Sequence, residues 1–222
     1  MAQTNTESAA FDHEANIPRD RYFNDEYFKR KQFDSLVSQI LAVYKLEPTS
    51  VLEIGLGNGF VSSFLRAAGI QVTTFDINEH LKPDVVGNLV EIDTYFKPDS
   101  FDVILCAEVL EHIPFDFFEV ILAKFKAISK KYVLITLPRR HRILLDLRTN
   151  LKIPFIKPIS INIFKRIPDR NKWDGHQWEI DYTPAFSLEN ITKAMANYFV
   201  VKENYVDEIV RHHQFFILEN NK

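Results

Sequence analysis

The sequence predicts an α/β fold in which a mostly parallel sheet carries helices on both faces. Between Ser50 and Pro138, strand-like runs alternate with helical runs, and the strand-like runs are apolar throughout. Strands of this kind are buried on both faces, as in parallel sheets covered by helices. The last two strand-like runs, YFVVKENYV and HQFFILEN, lie too close together for a crossover helix. We therefore expect them to pair antiparallel and to form the C-terminal end of the sheet.

Hydrophobic periodicity and chain breakers place each element in order. A helix is expected from Tyr22 to Tyr44, with an apolar face made of Phe33, Leu36, Val37, Ile40, Leu41 and Tyr44. The run SVLEI then begins a strand, and Phe60 to Ala68 forms a helix with Gly69 as its C-cap. The elements that follow are two strands (IQVTTFDI and FDVILCA), a helix with an apolar stripe, a strand (KYVLITLP) and a helix over Ser187 to Asn197.

A length of 222 residues indicates one domain with room for a full α/β core. Residues 1–20 are expected to form a flexible N-terminal leader without secretory-signal features, so that 21–222 is the single domain. The net charge of −3 gives no reason to expect a polyanionic partner. The one cysteine, Cys106, excludes an internal disulfide and suits a cytoplasmic protein. No apolar run reaches the length of a membrane-spanning helix.

Three glycines follow the first strand in the stretch VLEIGLGNGF, at Gly55, Gly57 and Gly59. Glycines in this place let the backbone approach a ligand closely, because no Cβ intervenes. Dinucleotide sites use the spacing G-x-G-x-x-G and hold a pyrophosphate at the helix N-terminus. Here the spacing is G-x-G-x-G, and Glu53 precedes it. A carboxylate there would repel a pyrophosphate, but it suits the ammonium and sulfonium groups of S-adenosylmethionine. The alternative is a tight structural turn.

Asp76 ends the second strand, 17 residues after Gly59. In open α/β sheets, a carboxylate at this place accepts hydrogen bonds from both ribose hydroxyls of a bound nucleotide. Sites for NAD and sites for S-adenosylmethionine share this feature. Asp76 therefore predicts a ribose without choosing between the two cofactors.

Four motifs in register resemble the class I S-adenosylmethionine-dependent methyltransferases. They are VLEIGLGNG, FDIN, DVVGNL and FDVILCAEVLEHIP, and they extend from Val51 to Pro138. The resemblance implies a Rossmann-like sheet of seven strands with the antiparallel C-terminal hairpin, and S-adenosyl-L-methionine as the cofactor. Two positions depart from the usual pattern: Asn88 often is an aspartate in the family, and Leu56 stands where a small residue is common.

The resemblance also implies a role for each cofactor-site residue. Glu53 and the backbone of Gly55, Gly57 and Gly59 would line the methionine moiety, and Asp76 would hold the ribose. Ile77, Asn88 and Leu89 would lie around the adenine, and the Cys106 carbonyl would accept from the methionyl ammonium. Residues Glu108 to His112 would form the wall near the reactive methyl, with His112 interpreted as structural.

A long connection, Arg139 to Phe186, separates the fifth strand from the next helix, and a connection of this length usually is functional or has structure of its own. From Arg139 to Lys172 it contains ten basic and two acidic residues, a net charge of +8 that leaves about −11 for the rest of the chain. One interpretation is a lid that recruits an acidic or phosphorylated acceptor, with peripheral contact to a membrane surface. The alternatives are a solvated basic face and a partner interface.

The connection closes with WDGHQWEIDYTP, in which His176 is the candidate general base, since its unperturbed pKa lies near neutrality. Glu179 would orient it or bind the acceptor. The alternative is that His176 and Trp178 are packed structural residues. The sequence contains no H-E-x-x-H pattern and no cysteine cluster, so no metal site is expected. A carboxylate-rich magnesium site of the catechol type is an open alternative that no specific motif supports.

Together these features predict a methyltransferase for a small-molecule acceptor, acting on an oxygen of a sugar-containing or acidic metabolite. The fourth strand ends in CAEVLEH and lacks the Asn/Asp-Pro-Pro-aromatic sequence of nucleic-acid amine methylases, which argues against a nucleic-acid base as substrate. The alternatives are an RNA methyltransferase, an NAD-dependent oxidoreductase and a non-catalytic module that binds partners. The sequence makes no prediction of the oligomeric state.

Overall fold

The computed structural model describes residues 11–25, 27–139, 142–149, 159–165, 175–207 and 210–222, of which 142–149 and 159–165 are described as backbone. Its main sheet has seven strands in the order β3-β2-β1-β4-β5-β9-β8. The bounds are Ser50–Ile54 (β1), Gln71–Asp76 (β2), Val85–Val86 (β3), Phe101–Ala107 (β4), Ser129–Pro138 (β5), Val200–Val206 (β8) and His213–Glu219 (β9). Strands β1 to β5 pair in parallel, and β9 runs antiparallel to both β5 and β8. The predicted fold class is confirmed.

Four helices cover the two faces of this sheet. Their bounds are Arg30–Tyr44 (α1), Phe60–Ala67 (α2), Phe118–Ile128 (α3) and Leu188–Ala196 (α4). Helices α1 and α2 pack on one face, where Val43 and Leu65 lie in the same buried cluster. Helices α3 and α4 pack on the other face, where Phe125 and Ile191 belong to the larger cluster. The sheet is thus buried on both sides, which explains its continuously apolar strands.

The first helix differs from its prediction in length and in orientation. It begins at Arg30 rather than Tyr22, and Arg19–Phe23 forms a separate 3-10 turn. Val37, Leu41 and Tyr44, which were expected on the core face, are 43%, 60% and 63% exposed. The buried face instead contains Ile40 and Val43 together with polar residues. The helix turns Ser35 towards the sheet, where its hydroxyl contacts His213.

The described part of the expected leader, residues 11–20, also differs from the prediction of a flexible segment. A helical turn covers 11–15, and the ring of Phe11 lies 6.3 Å from that of Phe117. The side chain of Asn78 donates to the carbonyls of Glu14 (3.3 Å) and Ile17 (2.8 Å). These contacts fasten residues 11–17 across the carboxyl edge of the sheet. The rest of the leader lies outside the described residues.

The connection between β5 and α4 has structure of its own, as its length suggested. Arg142–Thr149 (β6) and Ile159–Lys165 (β7) form a separate two-stranded antiparallel sheet. The side chains of the basic segment beyond Arg139 lie outside the described residues, so the interpretations of its charge stay predictions. Within the described part of the chain, no helix is both long and apolar enough to cross a bilayer.

The strand order determines where a ligand can bind. From β1 the chain proceeds to β2 and β3 on one side, and then returns to β4 and β5 on the other. In open α/β sheets, the loops at such a switch point diverge and leave a crevice at the carboxyl ends of the strands. The predicted site residues lie at or near this edge.

Candidate active site

The glycine loop between β1 and α2 has a backbone that other residues rarely adopt. Gly55, Gly57 and Gly59 have φ angles of 82°, 54° and 72°. A Cβ on Gly55 would lie 2.4 Å from Cγ2 of Val109, which belongs to the segment after β4. The first glycine is therefore required for the close approach of two chain segments on either side of the crevice.

Asp76 connects the end of β2 to this loop. Its two carboxylate oxygens accept from the backbone N–H of Leu56 (2.7 Å) and of Asn78 (2.8 Å). Burial raises the pKa of Asp76 despite these two hydrogen bonds, which oppose the rise. Each carboxylate oxygen has a further lone pair, so the side chain can still accept from two hydroxyl groups. Asp76 thus holds the loop in place and has capacity left for a ribose.

Three residues near Asp76, namely Ile77, Asn88 and Leu89, are the ones predicted to surround an adenine. Val86 of β3 pairs with Asp76, and the N–H of Gly87 donates to the Asp76 carbonyl at 3.0 Å. Asn88 then caps a 3-10 turn by accepting from the N–H of Val90 (3.0 Å), while Leu89 is 6% exposed and belongs to the core. Ile77, beside Asp76, is half-buried. The structure therefore brings this predicted group to the same strand ends.

Glu53 lies in β1 and is buried, 4% exposed. Its Oε2 has no hydrogen-bond partner among the described residues. Burial raises the pKa of Glu53 to about 8, although hydrogen bonding from Ser62 opposes the rise. A cation placed against this carboxylate would stabilise its charged form. The expected ammonium contact is consistent with a buried acid that lacks a full set of partners.

Cys106 lies inside β4, one residue before the strand ends. It is fully buried in β4, where it pairs with Ile54 of β1 and Ile135 of β5. Burial raises the pKa of its thiol well above the ordinary value. Its predicted carbonyl contact stays a prediction.

Glu108, the residue directly after β4, has a φ angle of 53° in the left-handed region. Such strain costs about 1–3 kcal/mol and persists where neighbouring contacts hold it. Here Oε1 accepts from the Thr136 hydroxyl (2.9 Å), and Oε2 lies 3.2 Å from Nε2 of His213. His213 in turn contacts the hydroxyl of Ser35 through Nδ1 (3.0 Å). This contact explains why α1 turns a polar face towards the sheet.

Beyond Glu108, a second group of acids and imidazoles comes together from three separate parts of the chain. His112 Nδ1 lies 2.9 Å from Glu14 Oε1, and His176 Nδ1 lies 3.0 Å from Glu179 Oε1. The two imidazole rings meet edge to face, with centroids 4.8 Å apart. Glu111 completes the group, because ligating atoms of Glu111, His112 and His176 all lie within 4.8 Å of one another. We call these five residues the Glu-His cluster.

The Glu-His cluster places the carboxyl groups of Glu14 and Glu179 around the fully buried Glu111. Glu111 is 0% exposed, and neither of its carboxylate oxygens has a hydrogen-bond partner on another described residue. Burial raises the pKa of Glu111 well above its usual range, and the charges of Glu108, Glu179 and Glu14 raise it further. Burial alone would raise the pKa of Glu14 as well, but the hydrogen bond and charge of His112 outweigh it and lower that pKa.

The predicted pair His176 and Glu179 is therefore brought together, whereas Trp178 has a different position. Its indole N–H donates to the carbonyl of Ile113 (3.0 Å), and its ring packs on Phe115 and Phe118. At 2% exposure it is a structural residue, as one of the alternatives held. It anchors the segment that carries His176 and Glu179 onto the segment after β4.

Sequence reasoning missed Glu14 and His213 and gave no role of their own to Glu108 and Glu111. Glu14 was assigned to the leader, and His213 sits in a strand read as apolar. Their partners lie far away in the sequence, so no local pattern marks them. The one available signal was the run of two acids and a histidine in E-V-L-E-H directly after a buried strand.

Comparison with known proteins agrees with this geometry. A family model described as "Methyltransferase domain" matches residues 25–198, most of the chain. Among curated proteins, the ubiquinone biosynthesis O-methyltransferase of Bordetella parapertussis is 34% identical over 77 residues, 29% of this chain and 32% of that protein. The enzyme of the same name from Hydrogenovibrio crunogenus is 30% identical over 99 residues, 38% of this chain and 40% of its own length. The matches thus span about a third of the curated relatives.

Solved structures are similar over most of the chain. The N-methyltransferase NodS of Bradyrhizobium japonicum, in complex with S-adenosylhomocysteine, has a TM-score of 0.58 at 10% identity, covering 98% of this chain and 100% of that one. Magnesium protoporphyrin IX methyltransferase of Synechocystis, with S-adenosylmethionine bound, has a TM-score of 0.56 at 14% identity and 97% coverage of each chain. At these identities the likeness shows the fold. Together with the family match, it establishes that the chain belongs to the class I S-adenosylmethionine-dependent methyltransferases.

Proposed function

We propose that this protein transfers a methyl group from S-adenosylmethionine to a hydroxyl oxygen of a small molecule. The observation that carries the proposal is the meeting of two halves at one sheet edge. One half consists of Glu53, the glycine loop and Asp76, and the other is the Glu-His cluster. Val109 connects them, because it touches Gly55 and lies between Glu108 and Glu111.

The donor half binds and orients the cofactor. S-adenosylmethionine, when bound, supplies a methyl carbon that is already activated by the positive sulfur. Asp76 would accept from the ribose hydroxyls, and Glu53 would face the methionyl ammonium. The glycine backbone would lie against the part of the cofactor between its ribose and its ammonium group. Since the leaving group needs no further activation, the main task of these residues is to align donor and acceptor.

The acceptor half would act on the hydroxyl group. His176 contacts Glu179 through Nδ1, at 3.0 Å, which orients the ring. The opposite nitrogen, Nε2, would then accept the proton that the hydroxyl loses as the new O–C bond forms. Glu14 and Gly175 both lie close to Nδ1 of His112, so the two segments that carry them can help to exclude water from this place.

Oxygen is favoured over nitrogen as the methylated atom for two reasons. The curated relatives carry the name O-methyltransferase. A carboxylate-supported imidazole also suits the removal of a proton from a hydroxyl group, which is a step that many amine acceptors do not need. For the acceptor class we propose a sugar-containing or acidic metabolite, whose anionic part would meet the basic segment of Arg139 to Lys172.

The test is transfer of labelled methyl from S-adenosylmethionine into three acceptor pools: small hydroxylated acids and sugars, the matching amines, and RNA. We expect label in the hydroxylated pool, and a loss of at least tenfold in rate for His176→Ala at unchanged S-adenosylhomocysteine affinity. The control His80→Ala, an exposed imidazole, should transfer at the normal rate. Label in RNA alone, or no transfer combined with stable capture of a partner protein, would contradict the proposal.

A further inference from the structure

The geometry points to a divalent transition-metal site formed by Glu111, His112 and His176. This inference rests on the proposed function, because it assigns the Glu-His cluster a way of acting on the acceptor hydroxyl. The three residues come from two segments, the turn after β4 and the end of the long connection. Their ligating atoms lie within 4.8 Å of one another, a span that one cation can bridge with small side-chain movements.

The donor set matches the chemistry of such a cation. Two imidazole nitrogens and one carboxylate oxygen are preferred by divalent ions of the manganese-to-zinc series, whereas magnesium and calcium prefer oxygen alone. Three protein ligands would leave coordination positions open, which is the arrangement of catalytic rather than structural sites. The absence of cysteine from the group is compatible with this choice.

The burial of Glu111 is a second and independent observation. Its side chain is 0% exposed, and neither carboxylate oxygen contacts a hydrogen-bond donor on another described residue. A buried carboxylate without partners is costly unless a cation compensates it. Glu108, Glu14 and Glu179 add negative charge around it. A metal ion between Glu111 and the two imidazoles would satisfy the carboxylate and balance this charge.

The surroundings of the imidazoles also fit a metal site. His112 faces Glu14 through Nδ1 (2.9 Å), and His176 faces Glu179 through Nδ1 (3.0 Å). Metal-ligating histidines usually have a carboxylate beside the second ring nitrogen, which helps to orient the imidazole. Glu14 and Glu179 are then positioning residues. Gly175 keeps the place open, since a Cβ there would lie 3.1 Å from Glu14 Oε1 and 3.2 Å from His112 Nδ1.

A cation in this place changes the task assigned to His176. An acceptor hydroxyl bound directly to a divalent ion loses its proton at a much lower pH, so that solvent can take the proton without a dedicated base. The oxygen then attacks the methyl carbon, the C–S bond breaks, and S-adenosylhomocysteine leaves with the electron pair on sulfur. In this account His176 acts as a ligand, and its loss slows transfer by removing the cation.

The test titrates Co²⁺ into the full-length protein after treatment with a chelator, with visible absorption and calorimetry as readouts. We expect one Co²⁺ per chain, and at least tenfold weaker binding for His112→Gln and for His176→Gln. Glu14→Gln should weaken binding less than either ligand variant, and the exposed control His80→Gln should bind as the unaltered protein does. Failure of the unaltered protein to bind Co²⁺, or binding by both ligand variants that is as tight as that of the unaltered protein, would overturn the proposal.

S-adenosylhomocysteine is titrated into every sample in parallel. Retained binding shows that a variant is folded and separates the two proposals. If S-adenosylhomocysteine binds but Co²⁺ does not, the metal site is refuted and the methyltransferase proposal stands. If the unaltered protein binds Co²⁺ in a manner that depends on His112 and His176 but fails to bind S-adenosylhomocysteine, the metal site is supported and the proposed function is refuted.

Discussion

Replacing Gly55 by alanine should destabilise the protein more than the same change at Gly57, although both glycines have positive φ angles. An alanine in the left-handed region costs about 1–2 kcal/mol at either position. At Gly57 nothing lies within 4 Å of the added Cβ, so that strain is the main cost. At Gly55 the Cβ would lie 2.4 Å from Val109 Cγ2, and such overpacking adds about 1–3 kcal/mol. We therefore expect a loss of about 1–2 kcal/mol for Gly57→Ala and about 2–5 kcal/mol for Gly55→Ala.

Urea denaturation of the two variants measures these losses, and a double-mutant cycle isolates the contact. Val109→Ala removes the methyl group that the new Cβ would strike, so the pair Gly55→Ala and Val109→Ala should recover about 1–3 kcal/mol relative to the sum of the single changes. Equal losses at Gly55 and Gly57, or strict additivity of the pair, would refute the close approach of the glycine loop to the segment after β4.

Three further predictions follow from the site. Asp76→Ala should weaken S-adenosylhomocysteine binding at least a hundredfold, since two charge-assisted hydrogen bonds to the ribose, of about 1.5–3 kcal/mol each, are lost. The control is Asp102→Ala, which removes the acceptor of the Thr49 N–H and hydroxyl at the opposite edge of the sheet. This control should lower the free energy of unfolding and leave the affinity unchanged. The pKa of Glu53 is raised in the folded protein from 4.5 to about 8, so its contribution to stability is complete below about pH 4.5 and is lost as the pH rises through about 8. Urea denaturation should show Glu53→Gln gaining roughly 3–5 kcal/mol relative to the unaltered protein between about pH 5 and about pH 9, and a constant difference would contradict this. Trp178→Phe leaves the buried Ile113 carbonyl without its donor and should cost about 1–3 kcal/mol of unfolding free energy, so an unchanged denaturation midpoint would count against the anchoring role.

The cofactor half was predictable because its order in the sequence is also its order in the fold. A strand, a loop, a helix and a second parallel strand bring Gly55 and Asp76 to the same sheet edge, whatever the rest of the chain does. The hydrogen bond from the Leu56 N–H to Asp76 is the direct result. The antiparallel pairing of β8 and β9 was likewise determined by the short connection between them.

The orientation of α1 was not predictable in this way. Periodicity identifies an apolar stripe, but Leu41 and Tyr44 on that stripe are mostly exposed. The helix instead turns Ser35 inward, where its hydroxyl contacts His213 at a separation of 178 residues. A buried hydrogen bond of this kind depends on which strand the helix packs against, and no local pattern contains that information.

The acceptor half was predictable only where its residues are close together in the sequence. His176 and Glu179 were predicted as a pair because three residues separate them, and the structure brings their side chains to 3.0 Å. His176 meets the ring of His112, and His112 in turn contacts Glu14, so the cluster joins segments from opposite ends of the chain. Sequence alone assigned His112 a structural part and placed Glu14 in a leader. Only the three-dimensional contacts unite them in one cluster.

The measurement that tests the central claim most directly is calorimetric titration of the purified protein with S-adenosylhomocysteine, with NADH as the parallel ligand and Asp76→Ala as the matched variant. The account predicts saturable binding of S-adenosylhomocysteine by the unaltered protein, no binding of NADH, and loss of S-adenosylhomocysteine binding in the variant. Binding of NADH instead, or S-adenosylhomocysteine binding that survives Asp76→Ala, would contradict the account.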